Sequence, residues 1–156
     1  MPKTNAVRLL NAAGIAYRLV EYRYDEAQLG VDKIARDNGL ELERIFKTLV
    51  LKTETGQVVV AVTPGDKALD FKTVARLAAC KKIHLAEMKE LQSLTGYIRG
   101  GCSPVGMKKN FPVFIDQSAL EHERILVNAG ARGLLMEVAP GELGSLCHAV
   151  FEYITA

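Results

Sequence analysis

Lys47 occupies a position in this sequence that needs a chemical explanation. It lies in IFKTLVLK, residues 45–52, a run of bulky and β-branched side chains typical of a strand. Alternate side chains of a strand point to opposite faces, so Lys47 shares a face with Ile45, while Phe46 and Thr48 lie on the other. Both faces are apolar, which predicts a strand covered on both sides, where an ammonium group needs a partner, a wet cleft or a neutral state. Two interpretations are open: a lysine whose stem packs on the sheet while its amine reaches water, or one that serves a site.

The glycine-rich segment TGYIRGGCSPVGMKKN, residues 95–110, is a second candidate for chemistry. Its four glycines, with Ser103 and Pro104 among them, allow close approach of the backbone and can gather N–H groups in one concavity. Such a concavity suits a phosphate, a carboxylate or a developing oxyanion, and Lys108 and Lys109 follow where they could reach a polyanion. A tight connection would give the same pattern, and no phosphate-loop or dinucleotide motif is present.

NAGARG, residues 128–133, is a second glycine-containing loop. Its Arg132 is flanked by small residues and offers a planar donor fork for a phosphate or a carboxylate. A hairpin turn with a solvated arginine is the alternative interpretation.

The cysteines and histidines give no strong sign of a nucleophile or a metal site. Cys102 lies beside glycines, but no histidine is near it in sequence, and cysteines in turns are more often passive. His84 and His148 fit packing or surface positions better than a general base. The cysteines, which include Cys80 and Cys147, are three in number and widely spaced, so we predict no zinc site, no disulfide framework and no cofactor.

Composition limits the class of protein. The chain has 156 residues, of which 49% are hydrophobic and 24% charged, which predicts one globular domain over residues 1–156. Its opening segment is too broken for a signal peptide and no apolar run is long enough to cross a bilayer, so we expect a cytoplasmic protein. A formal net charge of +2 is too small to indicate nucleic-acid binding by itself.

The elements that position these residues alternate between helical and strand patterns. Thr4 and Asp70 are predicted to cap helices, and Asn38-Gly39 suits a left-handed helix end. Several strands are joined by hairpins, which favours an α+β fold with a mixed, mostly antiparallel sheet and helices outside it over a doubly wound parallel sheet. The predicted strands are residues 17–24, 46–52, 57–63, 82–85, 112–116, 124–129, 134–138 and 150–154, and the segment SALEHE forms a turn between two of them.

Three of these segments together resemble a known family. FKTLV, then TGYIRGGCSPVGMKK, then NAGARG followed by a strand and APGEL, are similar in order and spacing to the YbaK-type Cys-tRNA(Pro) deacylases. The larger family includes the editing domain inserted in bacterial prolyl-tRNA synthetases. The pattern GY-x-x-GG-x-SP-x-G-x-KK resembles the free-standing Cys-specific branch more than the Ala-specific branches. The resemblance implies a mixed, partly barrel-like sheet surrounded by helices.

The resemblance also implies an activity and a set of site residues. The activity is hydrolytic removal of cysteine wrongly attached to the proline tRNA. Lys47 matches the family's functionally important lysine, and Gly101 matches the glycine whose backbone approaches the aminoacyl group. Thr48 and Tyr22 match pocket positions.

Other residues complete the predicted substrate-binding set. Leu29 stands where the family can have an aromatic residue, and Asn128 where it can have a small hydroxyl residue, so both bear on the shape of the pocket. The rest of the set comes from the two glycine-containing loops: Gly100, Ser103, Pro104 and Arg132.

For this family a route assisted by the substrate is implied, in which the cysteinyl sulfur attacks its own carbonyl, so that no enzyme nucleophile is needed. The expected partners are the cysteinylated acceptor end of tRNA(Pro) and, transiently, prolyl-tRNA synthetase. Alternatives are a deacylase for alanine or another small amino acid, a non-catalytic module that binds a tRNA end or a nucleotide, and a hydrolase with Cys102 as nucleophile.

Overall fold

A computed structural model of the chain describes residues 3–156, which form eight strands and five α-helices around one sheet. The helices are α1 Asn5–Ala12, α2 Val31–Asn38, α3 Phe71–Leu77, α4 Met88–Thr95 and α5 Pro140–Cys147. The strands are β1 Tyr17–Glu21, β2 Ile45–Thr53, β3 Val58–Pro64, β4 Ile83–Leu85, β5 Val113–Asp116, β6 Ile125–Ala131, β7 Leu134–Val138 and β8 Val150–Glu152.

The sheet has the order β1-β7-β6-β2-β3-β5-β8, with β4 paired to β2 outside this path. The pairs β1–β7, β6–β7, β2–β3 and β2–β4 are antiparallel. The pairs β2–β6, β3–β5 and β5–β8 are parallel. The predicted mixed, mostly antiparallel sheet is therefore confirmed. In the described part of the chain it remains open, with β1 and β8 at the two ends of this strand order.

The helix ends follow from local sequence signals. Thr4 caps α1 by accepting a hydrogen bond from the Val7 N–H at 3.1 Å, and Asp70 caps α3 by accepting one from the Thr73 N–H at 3.2 Å. After α2 the chain enters the left-handed region at Gly39, with φ 66°, as a glycine after the last helical residue favours. These three predictions are confirmed. Among the described residues, no helix has the length and apolar character needed to cross a membrane.

Some strand ends differ from the predicted ones. The first strand was expected to reach Tyr24 but ends at Glu21, because its partner β7 begins at Leu134 and only the hairpin turn precedes it. The segment SALEHE, predicted as a turn between two strands, does connect β5 to β6 and contains most of a 3₁₀ helix, residues 117–121.

A gap beside β2 decides where the site lies. β6 pairs only with Ile45 and Phe46 of β2, whereas β4 pairs only with residues 51–53. On the side facing away from β3, residues 47–50 therefore have no neighbouring strand within residues 3–156, and Val50 O accepts instead from a loop N–H at 2.9 Å. The middle of β2 can therefore contact a group that occupies this gap.

The helices and the sheet bury an apolar core around the gap. On one face of β2, Phe46 joins the largest cluster of buried residues, under α1. On the other face, Ile45 packs with Ile34 and Ala35 of α2, and Leu51 packs with residues of α3. The gap therefore lies in a rigid frame, which suits a site that must hold a ligand in a defined position.

Candidate functional site

A cavity of about 720 Å³ opens at the gap beside β2. Its wall consists of residues 45–49 of β2, the first turns of α2 and the preceding loop, Arg99, Gly100 and Cys102 of the glycine-rich segment, and parts of β6 and β7. Six of the predicted site residues line it: Tyr22, Leu29, Lys47, Thr48, Gly100 and Asn128. Four others, Gly101, Ser103, Pro104 and Arg132, lie outside this wall.

Lys47 faces a cleft that is open to water. The predicted burial of both strand faces is wrong for residues 47–49, which are half-buried, because the gap interrupts the cover over them. Lys47 has no carboxylate within ion-pair distance anywhere in residues 3–156. By contrast, Lys52 on the same strand pairs with Glu90 at 2.8 Å. Lys52 therefore has a structural partner, and Lys47 is available to a ligand.

Thr48 lines the cavity and carries an unusual polar group. Its Oγ1 is buried and has no hydrogen-bond partner within residues 3–156. An unsatisfied buried hydroxyl costs about 1–3 kcal/mol, so natural structures rarely keep one without a reason. Thr63 Oγ1 on β3 is in the same state but does not line the cavity. A bound ligand could satisfy the hydroxyl of Thr48.

Asn128 organises the loop wall of the cavity. Its Nδ2 donates to Gly100 O at 2.9 Å and to Ala131 O at 3.2 Å. Its Oδ1 accepts from the N–H groups of Gly130 and Ala131 at 2.6 and 3.1 Å. Both polar atoms of this side chain therefore take part in hydrogen bonds, either with the end of β6 or with the glycine-rich loop. Asn128 holds the loop in place as well as lining the cavity.

Tyr22 completes this corner of the cavity. Its hydroxyl lies 3.5 Å from both Gly100 O and Asn128 Nδ2. Burial raises the pKa of Tyr22 above its ordinary value of 10.0, against the opposite influence of hydrogen bonds from Gly133 and Asn128. The phenol is therefore neutral near pH 7 and can act as a hydrogen-bond donor.

The two adjacent glycines of the loop are needed for different reasons. Gly100 has φ +81°, and a Cβ there would lie 3.0 Å from the Leu29 side chain in the cavity. A Cβ at Gly101 would lie 3.0 Å from the backbone nitrogen of Arg132 and 3.2 Å from the Cα of Ala131. Gly101 thus permits close packing of the loop on the end of β6, and its N–H donates to a carbonyl within the loop at 2.9 Å.

The other loop residues that were predicted to bind substrate shape the loop instead of lining the cavity. Ser103 is fully buried, and its Oγ accepts from the Val105 N–H at 3.2 Å. Pro104 borders a separate cavity, where its carbonyl accepts from the Cys147 thiol at 3.5 Å. Arg132 donates from Nε to the backbone carbonyl of Arg99 at 2.8 Å.

Cys102 lines the cavity but is not activated. It is 8% exposed, and its burial raises the pKa of its thiol to about 11. In the part of the chain that the structure describes, no histidine lines the cavity. Among residues 3–156, no three histidine, cysteine or acidic side chains lie close enough together to hold a metal ion. The described part of the chain thus places no activated nucleophile in this wall.

Basic residues in the wall were missed by the sequence argument. Lys33, Arg36 and Arg99 border the cavity together with Lys47, and among the described residues Asp32 is the one acidic residue in its wall. Lys33 also pairs with Asp37 at 2.6 Å. The amphipathic pattern of α2 could have indicated Lys33 and Arg36, because the buried face of this helix carries Ile34 and Ala35. Such a wall suits a ligand that carries phosphates.

The fold and the cavity agree with comparisons to known proteins. The sequence profile of the aminoacyl-tRNA editing domain matches residues 25–146. The chain belongs to the aminoacyl-tRNA editing domain family, of the YbaK type, as its sequence motifs predicted. Within this family it is an aminoacyl-tRNA deacylase, a hydrolase of the ester that joins an amino acid to tRNA.

Individual relatives refine the likeness. The chain is 42% identical over 98% of its length to EbsC of Enterococcus faecalis, provisionally named a Cys-tRNA(Pro)/Cys-tRNA(Cys) deacylase, and covers 93% of that protein. It is 28% identical over 81% of its length to the proline–tRNA ligase of Shouchella clausii, of which it covers 22%. The crystal structure of a provisional trans-editing enzyme for prolyl-tRNA synthetase matches with a TM-score of 0.84 and 25% identity, covering 100% of this chain and 99% of that one.

Proposed function

We propose that the chain hydrolyses mischarged Cys-tRNA(Pro) in trans, with residues 1–156 acting as one editing domain in the cytoplasm. One observation carries the proposal: among residues 3–156, the cavity has a lysine without an ionic partner and a threonine with an unsatisfied hydroxyl, but no activated nucleophile. A site of this kind suits a substrate that brings its own nucleophile. The name of the relative EbsC and the match to a trans-editing enzyme support the choice of cysteine and of proline tRNA.

The cysteinyl thiol supplies that nucleophile in the proposed mechanism. Its sulfur attacks the ester carbonyl carbon, so that an S–C bond forms and the bond to the ribose oxygen of the tRNA breaks. The proton lost from sulfur ends on the ribose oxygen, and the product is a cyclic thioester of cysteine. Water then hydrolyses the thioester to free cysteine. The enzyme has to fold the ester into the reactive geometry and stabilise the negative charge that develops on the carbonyl oxygen.

The cavity residues take separate parts in this scheme. Lys47 provides a fixed positive charge for the developing oxyanion or for the terminal phosphate and ribose. Thr48 offers its hydroxyl to the aminoacyl end, since no protein group satisfies it. Tyr22, Leu29 and the loop at Gly100 shape the space around the side chain of the amino acid.

The basic wall is proposed to hold the acceptor end of the tRNA. Lys33, Arg36 and Arg99 border the cavity where the phosphates that precede the terminal ribose can be reached. A domain of this size has little surface with which to read a whole tRNA. We therefore propose that prolyl-tRNA synthetase acts as a transient partner and supplies the mischarged tRNA.

Release of labelled amino acid from a panel of tRNAs tests the proposed substrate. We expect fast loss of cysteine from Cys-tRNA(Pro), with Ala-tRNA(Pro) and Ser-tRNA(Pro) hydrolysed far more slowly. Cys-tRNA(Cys) shows whether the body of the tRNA contributes to selection. Preference for the alanyl ester would contradict the proposed specificity, and failure to hydrolyse any ester would contradict the proposed function.

The thiol route has its own test. S-methylcysteinyl-tRNA(Pro) keeps the ester and nearly the same shape but lacks a nucleophilic thiol. We expect its hydrolysis to fall to the level of the seryl ester, while its binding, measured by competition, stays close to that of the cysteinyl ester. Equal turnover of the two esters would show that water attacks directly.

A further inference from the structure

The basic pair Lys108 and Lys109 lies outside the wall of the main cavity. Its place after the glycine-rich loop suggested that the pair could reach a polyanion bound there, but neither lysine lines that cavity. The stem of Lys108 runs over Gly96 at the end of α4, where a Cβ on the glycine would lie 3.3 Å from Lys108 Cγ. Lys109 instead lines a second cavity, of about 310 Å³. The two lysines therefore have different surroundings.

The second cavity lies between the glycine-rich segment and two helices. It shares no lining residue with the main cavity, and its volume is at the lower end of the range of about 300–1,000 Å³ that small-molecule sites occupy. Its wall is made of residues 104–107 and 109–111, Val113 of β5, Asn5 and Leu9 of α1, and residues 146–148 at the end of α5.

Burial divides this wall into an apolar floor and a polar mouth. The fully buried residues of the wall are all apolar: Pro104, Val105 and Val113. Most of its exposed residues are polar: Asn5, Lys109, Asn110 and His148. A cavity built in this way fits a molecule that has an apolar body and a polar head group.

The charge at the mouth determines the sign of that head group. Among the described residues, no aspartate or glutamate lines the second cavity, whereas Lys109 and His148 do. Lys109 has no carboxylate within ion-pair distance in residues 3–156. An ammonium group and an imidazole N–H are both donors, and a carboxylate accepts from both. The mouth therefore favours an anionic head group.

The glycine-rich segment connects the two cavities. Cys102 lines the main cavity, and Pro104, two residues further on, lines the second. Pro104 O accepts from the Cys147 thiol at 3.5 Å, and Gly106 O accepts from Asn5 Nδ2 at 2.8 Å. Both donors belong to the wall of the second cavity, so a ligand that displaces them also displaces the segment. Such a shared element can couple two sites.

We infer that the second cavity binds a small organic carboxylate with an apolar body, held at its head group by Lys109 and His148, and that this ligand is an effector of the main cavity. Binding is independent of the proposed function. Only the effector part rests on it, because that part takes ester hydrolysis in the main cavity as its readout.

An NMR titration of the protein with hydrocinnamate tests the site. This probe joins a carboxylate to a phenyl group through a short apolar chain. We expect the backbone amides of residues 105–107 and 147–148 to shift with a Kd on the order of 1 mM, and the neutral amide of the probe to bind at least about fivefold more weakly. Absence of saturable shifts would overturn the inference, as would equal affinity of acid and amide or shifts confined to main-cavity residues such as Lys47 and Asn128.

Lys109→Met and Lys108→Met are a matched pair of variants. Each removes one charge and keeps a long stem, but only Lys109 lines the second cavity. We expect Lys109→Met to weaken binding of hydrocinnamate about fivefold without affecting its amide, and Lys108→Met to change neither affinity. Equal weakening in the two variants would reduce the effect to general charge and would overturn the role of Lys109.

Steady-state deacylation at constant ionic strength tests the effector part. With saturating hydrocinnamate we expect kcat/KM on the ester that the wild type prefers to fall about fivefold, because the displaced segment carries part of the main wall. Lys109→Met should keep its activity without the probe and respond less to it. Bound probe with unchanged kcat/KM would overturn the effector role. A raised KM and a smaller salt slope in Lys109→Met without the probe would indicate instead that Lys109 contacts a tRNA phosphate.

These measurements separate the inference from the proposed function. If the wild type hydrolyses no aminoacyl ester, the proposed function and the effector part fail together, and the NMR titration still decides whether the second cavity binds the carboxylate. If the wild type hydrolyses Cys-tRNA(Pro) but hydrocinnamate does not bind, the inference alone fails.

Discussion

Lys47 and Lys52 lie on the same strand, and their surroundings distinguish an available lysine from a structural one. Lys52 is held by Glu90 at 2.8 Å, whereas Lys47 has no acidic partner in residues 3–156 and lines the cavity. The cost of keeping a half-buried ammonium group without a partner is offset if a ligand supplies negative charge. At this scale the site is defined by polar groups that the protein leaves unsatisfied.

Thr48→Val should separate stability from activity. The substitution removes a buried hydroxyl that has no partner, so we expect unchanged or slightly raised thermal stability, with deacylation slowed about tenfold or more if that hydroxyl contacts the ester. Thr63→Val is the matched control, because it removes the same kind of hydroxyl outside the cavity wall and should keep the rate. An unchanged rate in Thr48→Val would remove this threonine from the mechanism.

The rate should follow the ionisation of the substrate and not that of Cys102. With a pKa of about 11, the Cys102 thiol stays protonated through the neutral range, whereas a cysteinyl thiol ionises at roughly pH 8.5. We expect single-turnover rates to rise with pH up to about that value, with the same profile in Cys102→Ala. A displaced profile or lost activity in Cys102→Ala would restore this residue as a candidate nucleophile.

At the scale of elements, the site depends on where strands stop pairing. The strand β2, the β2–β3 hairpin and the helix caps were predictable because residue type and spacing determine them locally. The gap was not, because it depends on the non-local register that ends β6 pairing at Phe46 and starts β4 pairing at Leu51. The roles of Asn128 and Arg132 also depend on how the glycine-rich loop docks on β6, which sequence spacing does not show.

The connection between the start of β2 and the β6–β7 hairpin offers a test of stability. Arg44 donates to Glu137 at 3.0 Å and to Arg124 O at 3.3 Å. Burial alone would raise the pKa of Glu137, but Arg44 and Arg18 lower it below its ordinary value of 4.5. The carboxylate therefore stabilises the fold above pH 4.5, and this contribution is lost as the pH falls through its lowered pKa.

Arg44→Ala should accordingly destabilise the protein in a pH-dependent way. We expect a loss of about 1–2 kcal/mol in the free energy of unfolding at pH 7, and a smaller loss at pH 3, where Glu137 is increasingly protonated. Arg18→Ala is the control, since the Arg18 side chain is 69% exposed and its ion pair should contribute below about 1 kcal/mol. Equal losses at both pH values in denaturant titrations would exclude the ion pair as the cause.

At the scale of the whole molecule, charge is concentrated where the tRNA is proposed to bind. The chain carries a net charge of only +2, yet Lys33, Arg36, Lys47 and Arg99 all border the cavity. The modest net charge predicts weak general affinity for nucleic acid, and the local cluster predicts binding through a few phosphates. The sequence composition alone could not show this concentration, because the four residues come from three separate segments of the chain.

Salt titration measures the number of these contacts. If three or four phosphates are bound, log KM should rise with log salt with a slope of about 2–3, and Arg36→Ala should reduce the slope by about 0.7. Lys72→Ala, at an exposed position on α3, should leave the slope unchanged. A slope near zero in the wild type would contradict binding of the acceptor strand by this wall.

The most direct test of the account is the single-turnover rate of cysteine release from Cys-tRNA(Pro) by Lys47→Met and Lys52→Met, measured side by side with the wild type. Both substitutions remove one positive charge from β2 and keep a long apolar stem. The account predicts a rate at least about 100-fold lower in Lys47→Met, as for the loss of a group that stabilises an oxyanion. In Lys52→Met it predicts a rate close to the wild type with lowered stability, because Glu90 loses its partner. Equal rates in the two variants would contradict the claim that Lys47 serves the editing site.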